Sequence, residues 1–318
     1  MKRFIVLFLL LSFFNLNSIK AQSAPDTVKI GTYIISLHDI NFRDKEYTIR
    51  FWMWMKYQNP DFDFANRVEV PNAKTLEKPD IMLDSSDHKI WVLMKMKCVM
   101  KQSWRVQDFP FDTQRLVIKV ENSEFDTRSL VFVADTAGKH FDPELTADGW
   151  DIKNIEIKTG IKKYNTAFGD NSLPKPSSEY SSFEMTIDMD RAALGLFLKL
   201  FIGMYIAFCI AYLSFFIHPD VVEAGFGLQV GGLFAAVGNK YIIDSILPET
   251  SVFTLVDLLH SITFITIFLI ILNTCIALRY YKRKKVVKAL AIEKTGSIVV
   301  LAGYAIINIV MVGLCILA

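Results

Sequence analysis

Cysteine is scarce in this chain of 318 residues, which has four: Cys98, Cys209, Cys275 and Cys315. The last three fall inside long apolar runs, so Cys98 is the single cysteine of the polar part of the sequence. One cysteine forms no disulfide within its own domain. A small fold stapled by disulfides is therefore excluded, and the polar part must be held together by a hydrophobic core.

Metal-binding and catalytic patterns are also missing. The histidines are scattered without the spacing of a metal site, at His38, His88, His140, His218 and His260. No nucleophile–base set and no paired acids stand out, so we expect no cofactor, no metal and no enzyme. No basic tract has the size or aromatic interleaving of a nucleic-acid site, so no nucleic-acid partner is expected either.

Charged residues are sparse in the long apolar runs that follow Arg191. Hydrophobic residues make up 52% of the sequence, and its mean hydropathy is +0.31. The residues before Arg191 are rich in Asp, Glu, Lys and turn formers, whereas those after it are nearly all apolar. This shift predicts an aqueous domain over residues 22–191 and a membrane domain over residues 192–318.

Residues 1–21 predict a secretory signal peptide. Lys2-Arg3 precedes a short apolar run, and Ser18-Ile-Lys-Ala21 provides a small-residue cleavage site. The alternative is an uncleaved anchor, for which the apolar run is short. Cleavage would leave the aqueous domain outside the cytoplasm.

Short alternating strands with turns between them predict a β-sandwich for the aqueous domain. The predicted strands are 31–38, 47–57, 89–101, 115–121, 129–133, 150–158 and 181–190. A long exposed loop is predicted at 168–178. In the second strand, a period of two puts Trp52, Trp54 and Lys56 on the face opposite Phe51 and Met53. Either the tryptophans face outward as an interface or ligand site, or both faces pack into a core.

Three apolar runs, 194–217, 252–278 and 297–318, predict membrane-spanning helices. The basic segment Arg279-Tyr-Tyr-Lys-Arg-Lys-Lys285 between the last two marks the cytoplasmic side. A fourth stretch, 221–246, is long enough to span but carries Glu223, Gln229, Asn239, Lys240 and Asp244. Charge in hydrocarbon is costly, so this stretch is either a helix lining a water-filled path or a polar interfacial helix.

One loop adds a family resemblance. Phe109-Pro110-Phe111-Asp112, followed by Gln114 and a strand, resembles the signature loop of the pentameric ligand-gated ion channels, the Cys-loop receptor superfamily. Further matches follow in chain order: Gly31-Thr-Tyr-Ile34, Trp52–Tyr57, the pre-membrane Arg191 and the link Leu247-Pro248. Gln102 and Leu116 stand where the loop cysteines would be, which resembles the prokaryotic members.

This resemblance implies an all-β immunoglobulin-like sandwich extracellular domain followed by a four-helix transmembrane bundle, with spans near 194–217, 221–246, 252–278 and 297–318. It implies a subunit of a homopentameric, ligand- or proton-gated, cation-selective channel in a bacterial inner membrane, with the N-terminal domain and the C-terminus in the periplasm. The expected partners are identical subunits, membrane lipid, permeant cations and a small-molecule agonist, either an amine or protons. The alternative is a non-conducting pentameric sensor.

The resemblance also assigns residues. The expected ligand site, between neighbouring subunits, comprises Trp52, Trp54, Phe132, Asp135, Thr136, Tyr164, Phe168 and Tyr180. Helical spacing gives the expected pore face Glu223, Gly227, Gly231, Phe234, Gly238 and Tyr241, with Glu223 as a selectivity ring and Phe234 as a constriction. The glycines have a second explanation, close helix packing. The expected coupling group is Asp44 (or Glu46), Phe109, Pro110, Asp112, Arg191 and Pro248.

Overall fold

The computed structural model describes residues 24–169 and 176–317. The predicted signal peptide and part of the predicted long loop lie outside the described residues. Two β-sheets form the first part of the described chain and long helices form the second. The predicted sandwich followed by helices is therefore confirmed.

The sandwich consists of a five-stranded sheet in the order β4-β5-β2-β1-β7 and a four-stranded sheet in the order β3-β6-β9-β8. Their bounds are β1 (Asp26–Asn41), β2 (Glu46–Tyr57), β3 (Val68–Glu69), β4 (Ala73–Ser86), β5 (Lys89–Lys101), β6 (Thr113–Asn122), β7 (Leu130–Ala134), β8 (Trp150–Tyr164) and β9 (Ser178–Arg191). The β1–β7 pair is parallel, and the other paired strands are antiparallel.

The core lies between the two sheets and follows the predicted alternation of β2. Phe51, Met53 and Met55 are fully buried, while Trp52 and Trp54 are half-buried on the outer face. The outward-facing interpretation of the tryptophans is therefore the one that the structure supports. Cys98 is buried within this core and forms no disulfide.

Strand β4 is a strand that the sequence pattern did not predict. It lies at the edge of its sheet, and most of its side chains are exposed. An edge strand exposed on both faces needs no alternation, and it tolerates Pro79, whose missing N–H costs no ladder hydrogen bond there. Asp87 and His88, both with positive φ, form the tight turn that joins β4 to β5.

The helices follow the sandwich, apart from one short turn within it. They are α1 (Phe64–Arg67), α2 (Ala193–Tyr212), α3 (Val222–Asp244), α4 (Leu255–Lys282) and α5 (Val286–Leu317). Among the described residues, 193–216, α4 and α5 are long and apolar enough to cross a membrane, and α3 is not in that group. Helix α5 begins at Val286, directly after the basic segment and before the predicted boundary at 297.

Several contacts between described residues join the sandwich to the helices besides the covalent link at Arg191, and two of them are made to backbone carbonyls. The Leu255 N–H at the start of α4 donates to the Gln107 carbonyl at 2.8 Å. The Lys45 ammonium of the β1–β2 turn donates to the Glu249 carbonyl at 3.3 Å. The first turn of a helix has backbone N–H groups without helical partners, and here the sandwich satisfies one of them.

Candidate functional site

At the base of the sandwich, Arg191 and Asp112 form a paired, two-pronged ion contact. Arg191 Nε lies 2.6 Å from Asp112 Oδ1 and its Nη2 lies 3.1 Å from Oδ2. The Gln114 side-chain amide also donates to Asp112 Oδ2, at 2.6 Å. The Asp112 side chain is 2% exposed and that of Arg191 is 10% exposed. Bidentate contacts of this kind fix orientation as well as charge.

Three aromatic rings surround the Arg191 guanidinium. Its central carbon lies 4.0 Å from the Trp150 ring centroid, 4.6 Å from that of Phe42 and 4.9 Å from that of Phe109. Ring faces attract cations, so the cage stabilises the charge that Asp112 also neutralises. Phe109 was an expected member of this group; Phe42 and Trp150 were not, because nothing in their local sequence indicates that they meet Arg191.

The turn acids do not join this pair in the structure. The Asp44 carboxylate accepts a hydrogen bond from the Asn41 amide at 2.7 Å, and Glu46 pairs with Lys74. The expectation for Asp44 and Glu46 is therefore corrected, because each has a nearer partner within the sandwich. Pro110 follows a cis peptide bond in the same loop as Phe109, and Pro248 is buried in the α3–α4 link.

On the outer face of the five-stranded sheet, Trp54 and Asp135 contact each other directly. The Trp54 indole N–H donates to Asp135 Oδ2 at 3.0 Å, and the ammonium groups of Lys29 and Lys56 lie 3.1 and 3.6 Å from the carboxylate. The Trp54 ring lies against Gly31, where a Cβ would come within 2.4 Å of it. Burial opposes ionisation of Asp135, but the donors Trp54 and Lys29 prevail and lower its pKa to about 2.

One face of the Trp52 ring is covered by a cationic side chain of the same chain. The Lys95 ammonium of the neighbouring strand lies 5.3 Å from the Trp52 ring centroid. This distance is within the range of a cation–π contact. Lys29, Lys56 and Lys95 were not among the expected site residues, although Lys56 shares the predicted outer face of β2 with both tryptophans. That shared face was the signal that a basic and aromatic surface lies here.

A second aromatic group lies on the four-stranded sheet. The ring centroids of Tyr164 and Phe168 are 5.5 Å apart, those of Tyr164 and Tyr180 are 5.8 Å apart, and those of Phe168 and Tyr180 are 6.5 Å apart. The Tyr164 hydroxyl donates to buried Glu121 at 2.7 Å. Burial, followed by this contact with Glu121, raises the pKa of Tyr164 to about 12. The structure therefore brings these three expected residues together.

Phe132 does not belong to either aromatic group. It is 2% exposed and packs in the core against Phe64, with 6.0 Å between ring centroids. Leu130 and Phe132 are the inward-facing positions of β7. An aromatic ring at Phe132 suits a ligand site, but this ring points into the core. Thr136 is exposed in the turn after β7.

The two aromatic groups belong to opposite sheets. Trp52 and Trp54 lie on β2, and Tyr164 and Tyr180 lie on β8 and β9. A single chain therefore does not form one continuous aromatic box from them.

Helix α3 has two different faces. The expected pore-face residues are all exposed, namely Glu223, Gly227, Gly231, Phe234, Gly238 and Tyr241. Phe234 is 70% exposed and Tyr241 is 73% exposed. The opposite face is buried against the other helices through Gly225, Gln229, Gly232, Ala236 and Ile243.

Most polar side chains of α3 contact other side chains of the protein and do not belong to its expected pore face. The buried Gln229 amide donates to Ser214 and to Thr274 of α4, at 2.9 and 2.7 Å. Lys240 lies 3.0 Å from Asp244 and 2.6 Å from Asp257 of α4. Glu223 has no such neighbour among the described contacts and points outward at the first turn of α3. The polar residues that made this stretch ambiguous thus divide into those that contact other side chains and Glu223, an exposed acid without a described partner.

No protein-family model matches the chain. The chain is 20% identical over 313 residues to a proton-gated ion channel of Gloeobacter violaceus, which covers 90% of this chain and 82% of that protein. It is 20% identical over 258 residues to glycine receptor subunit beta of Rattus norvegicus and of Homo sapiens, which covers 72% of this chain. The match spans 50% of the length of each receptor subunit.

These similarities agree with the resemblance seen in the signature loop. They support a ligand-gated ion-channel subunit rather than an enzyme. The apolar helices of spanning length, together with these relatives, indicate a membrane protein.

Proposed function

We propose that the chain is a subunit of a homopentameric ligand- or proton-gated channel that conducts cations. The observation that carries the proposal is the division of α3 into a buried face and an exposed face. Glu223, Phe234 and Tyr241 occupy the exposed face, and five copies would line a central path with it. An acidic ring at Glu223 favours cations, and a ring of Phe234 closes the path by excluding water.

The proposed orientation places the sandwich and the chain's C-terminus in the periplasm of a bacterial inner membrane, with four spans. The basic residues that end α4 and begin α5 would then face the cytoplasm. In this arrangement α3 crosses the membrane although its own hydropathy is low, because its polar groups face water or neighbouring helices. Membrane lipid would contact the largely exposed, apolar helix α5.

The proposed agonist site lies between adjacent copies. The Trp52–Trp54 group of one copy would face the Tyr164–Phe168–Tyr180 group of the next, with Asp135 and Thr136 near the first. Ring faces and a buried carboxylate suit a small organic amine, with roughly 0.5–2 kcal/mol for each cation–π contact. Because Lys95 already covers Trp52, an amine would have to displace it. Protons are the other candidate agonist.

The proposed coupling route runs through Asp112 and Arg191, near Phe109, Pro110 and the α3–α4 link at Pro248. Arg191 ends β9, and α2 begins at Ala193. A change in the sandwich would therefore reach the helices directly through this charged pair. Such a pair couples the two parts only if its geometry differs between closed and open states.

Ion selectivity gives the first test of this proposal. Purified protein in planar bilayers with asymmetric salt is expected to show cation-selective currents, recorded across pH and a panel of small amines. Glu223→Lys is expected to weaken or reverse the cation preference, because it turns an acidic ring into a basic one. The matched control is Glu249→Lys, which changes an exposed acid in the α3–α4 link outside the proposed pore face.

Two results would count against the proposal. A reversal potential that Glu223→Lys leaves unchanged would reject this register of α3. Ligand binding without current at any pH would favour the alternative, a non-conducting pentameric sensor. Helix α3 contains five glycines, which is unusual because glycine is unfavourable inside a helix. This feature motivates the alternative.

A further inference from the structure

A buried polar contact joins α2, α3 and α4 near their sandwich ends. The Asn239 side-chain amide of α3 donates to the Leu200 carbonyl of α2 at 3.0 Å. Its Oδ1 lies 3.1 Å from Nε2 of His260 on α4, a residue that is fully buried. Gly203 of α2 makes room for this contact, since a Cβ there would lie 2.9 Å from Asn239 Nδ2.

Both ring nitrogens of His260 face oxygen acceptors. Nε2 faces Asn239 Oδ1, and Nδ1 lies 2.8 Å from the Val256 carbonyl. A neutral imidazole has a single N–H, so one of its nitrogens would turn a lone pair toward an oxygen. Flipping the Asn239 amide would let its Nδ2 donate to His260 Nε2, but Oδ1 would then face the Leu200 carbonyl, which is also an acceptor. The doubly protonated ring satisfies both contacts at once.

The charged groups that act on this site carry a net negative charge. Lys240 and Asp244 of α3 and Asp257 of α4 form one ion-pair cluster. Two carboxylates and one ammonium carry a net charge of −1, which a protonated His260 would balance.

The other two helices present aromatic side chains to this side of α4. From α2, the Phe201 ring centroid lies 5.8 Å from that of His260. From α5, the titratable group is the Tyr304 hydroxyl, which lies 2.9 Å from Thr263 Oγ1, one turn along α4. Neither supplies an acceptor to the His260 ring among the described contacts. A second proton on His260 would therefore be balanced by Asn239, the Val256 carbonyl and the acidic cluster.

We propose that His260 is a proton-binding site whose protonated ring holds α2, α3 and α4 together. When the ring loses its second proton, one hydrogen bond becomes a contact between two acceptors, and Asn239 no longer fixes α3 to both neighbours. A proton would in this way bias the position of α3. The link to channel opening rests on the proposed function, because movement of α3 matters for conduction only if α3 lines the path.

Nitrogen NMR of the full-length protein in lipid nanodiscs, with histidine labelled on both ring nitrogens, tests the site directly. The His260 signals are those lost in His260→Gln. Over the pH range in which the protein stays folded, both nitrogens are expected to be protonated at the acid end, and one is expected to lose its proton toward the alkaline end. A single-proton tautomer throughout this range would overturn the proposal. The control His88→Asn changes an exposed histidine at positive φ, which Asn accepts.

A second variant keeps the test valid if His260→Gln does not fold. In Asn239→Asp a carboxylate faces the imidazolium, so the His260 titration is expected to move up by about 1 pH unit or more. An unchanged midpoint would overturn the proposal. These spectra need no current: a titrating His260 in a protein that never conducts rejects the channel function alone, and a conducting channel with a neutral His260 rejects the proton site alone.

Discussion

Arg191 is held by two kinds of partner at once, a carboxylate and a set of ring faces. The carboxylate fixes its direction, and the rings of Phe42, Phe109 and Trp150 replace water around a nearly buried charge. Removing one partner of such a pair leaves the other charged and desolvated. The energetic weight of this contact should therefore exceed that of an ion pair on the surface.

Asp112→Asn is expected to lower the free energy of unfolding by about 3 kcal/mol, because Arg191 stays charged in its cage. The matched control is Asp188→Asn, which removes the partner of Arg115 in a bidentate pair of similar geometry. The Arg115 side chain is 67% exposed, so this loss should stay below about 1 kcal/mol. Thermal unfolding in one detergent measures both, and equal shifts for the two variants would contradict the expectation.

Trp54→Phe is expected to make the free energy of unfolding depend less on pH in the acid range. The lowered pKa of Asp135 means that its ionised form stabilises the fold above about pH 4, and this contribution is lost as pH falls toward about 2. Without the indole N–H the pKa of Asp135 should return toward its ordinary value. The stability deficit of Trp54→Phe should therefore shrink between about pH 4 and about pH 2.

The control for this prediction is Trp52→Phe, because the Trp52 ring contacts Lys95 rather than a carboxylate. Its deficit should stay constant over the same acid range. Melting points by circular dichroism at several pH values measure both variants. Parallel curves for the two would mean that the Trp54–Asp135 bond does not set the pKa of Asp135.

The sequence predicted the orientation of a side chain where the strand alternates strictly between apolar and polar positions. It did not predict contacts between residues that are distant in the chain. The alternation of β2 placed Trp52 and Trp54 outward. Phe132 was expected at the ligand site because the end of β7 was assigned by position and not by face. The contact of Trp150 with Arg191 depends on the pairing of β8 with β9, which no local pattern encodes.

At the scale of single elements, the glycines of α3 have two different roles. Gly232 packs against α2 so closely that a Cβ would lie 2.6 Å from the Ala207 carbonyl oxygen. Its neighbour Gly231 is exposed, and a Cβ there would meet nothing within 4 Å. The packing explanation therefore applies to Gly232 and not to Gly231, and the two explanations coexist in one helix.

This difference predicts opposite effects for adjacent substitutions. Gly232→Ala should destabilise the protein, because the backbone of α2 must move away to admit the methyl group. Gly231→Ala should stabilise α3 by up to about 1 kcal/mol, since Ala has the higher helix propensity. Melting points of the two variants in the same detergent provide the measurement. Stabilisation by both substitutions would show that α2 and α3 are not packed this closely.

Element boundaries were harder to predict than element types. The basic segment suggested a loop up to residue 297, yet α5 begins at Val286, because the turn between the helices occupies only residues 283–285, where Lys284 has a positive φ. The start of α4 is sharp, since Thr254 and Asp257 form a capping box. Strand β4 was missed because edge strands need no hydrophobic face.

At the scale of the whole molecule, the proposed closing device is the ring of Phe234 side chains. Phe234→Ser is expected to shift activation toward the open state, because a hydroxyl removes the barrier to water in a narrow path. Currents recorded against agonist or proton concentration measure the shift. The control Phe268→Ser changes a comparably exposed phenylalanine on α4, 61% against 70% exposed. Equal activation curves for Phe234→Ser and the unmodified protein would contradict the proposed constriction at Phe234.

The hydrogen bond from Leu255 to Gln107 has a practical consequence for protein engineering. Besides the chain at Arg191 and this backbone bond, the contact of Lys45 with Glu249 and that of Asp108 with Cys315 of α5 tie the sandwich to the helical part. A chimera that exchanges the sandwich at Arg191 alone would combine a foreign loop with a native α3–α4 link. Modular exchange between related chains should therefore move residues 107–112 and 245–255 as one matched unit.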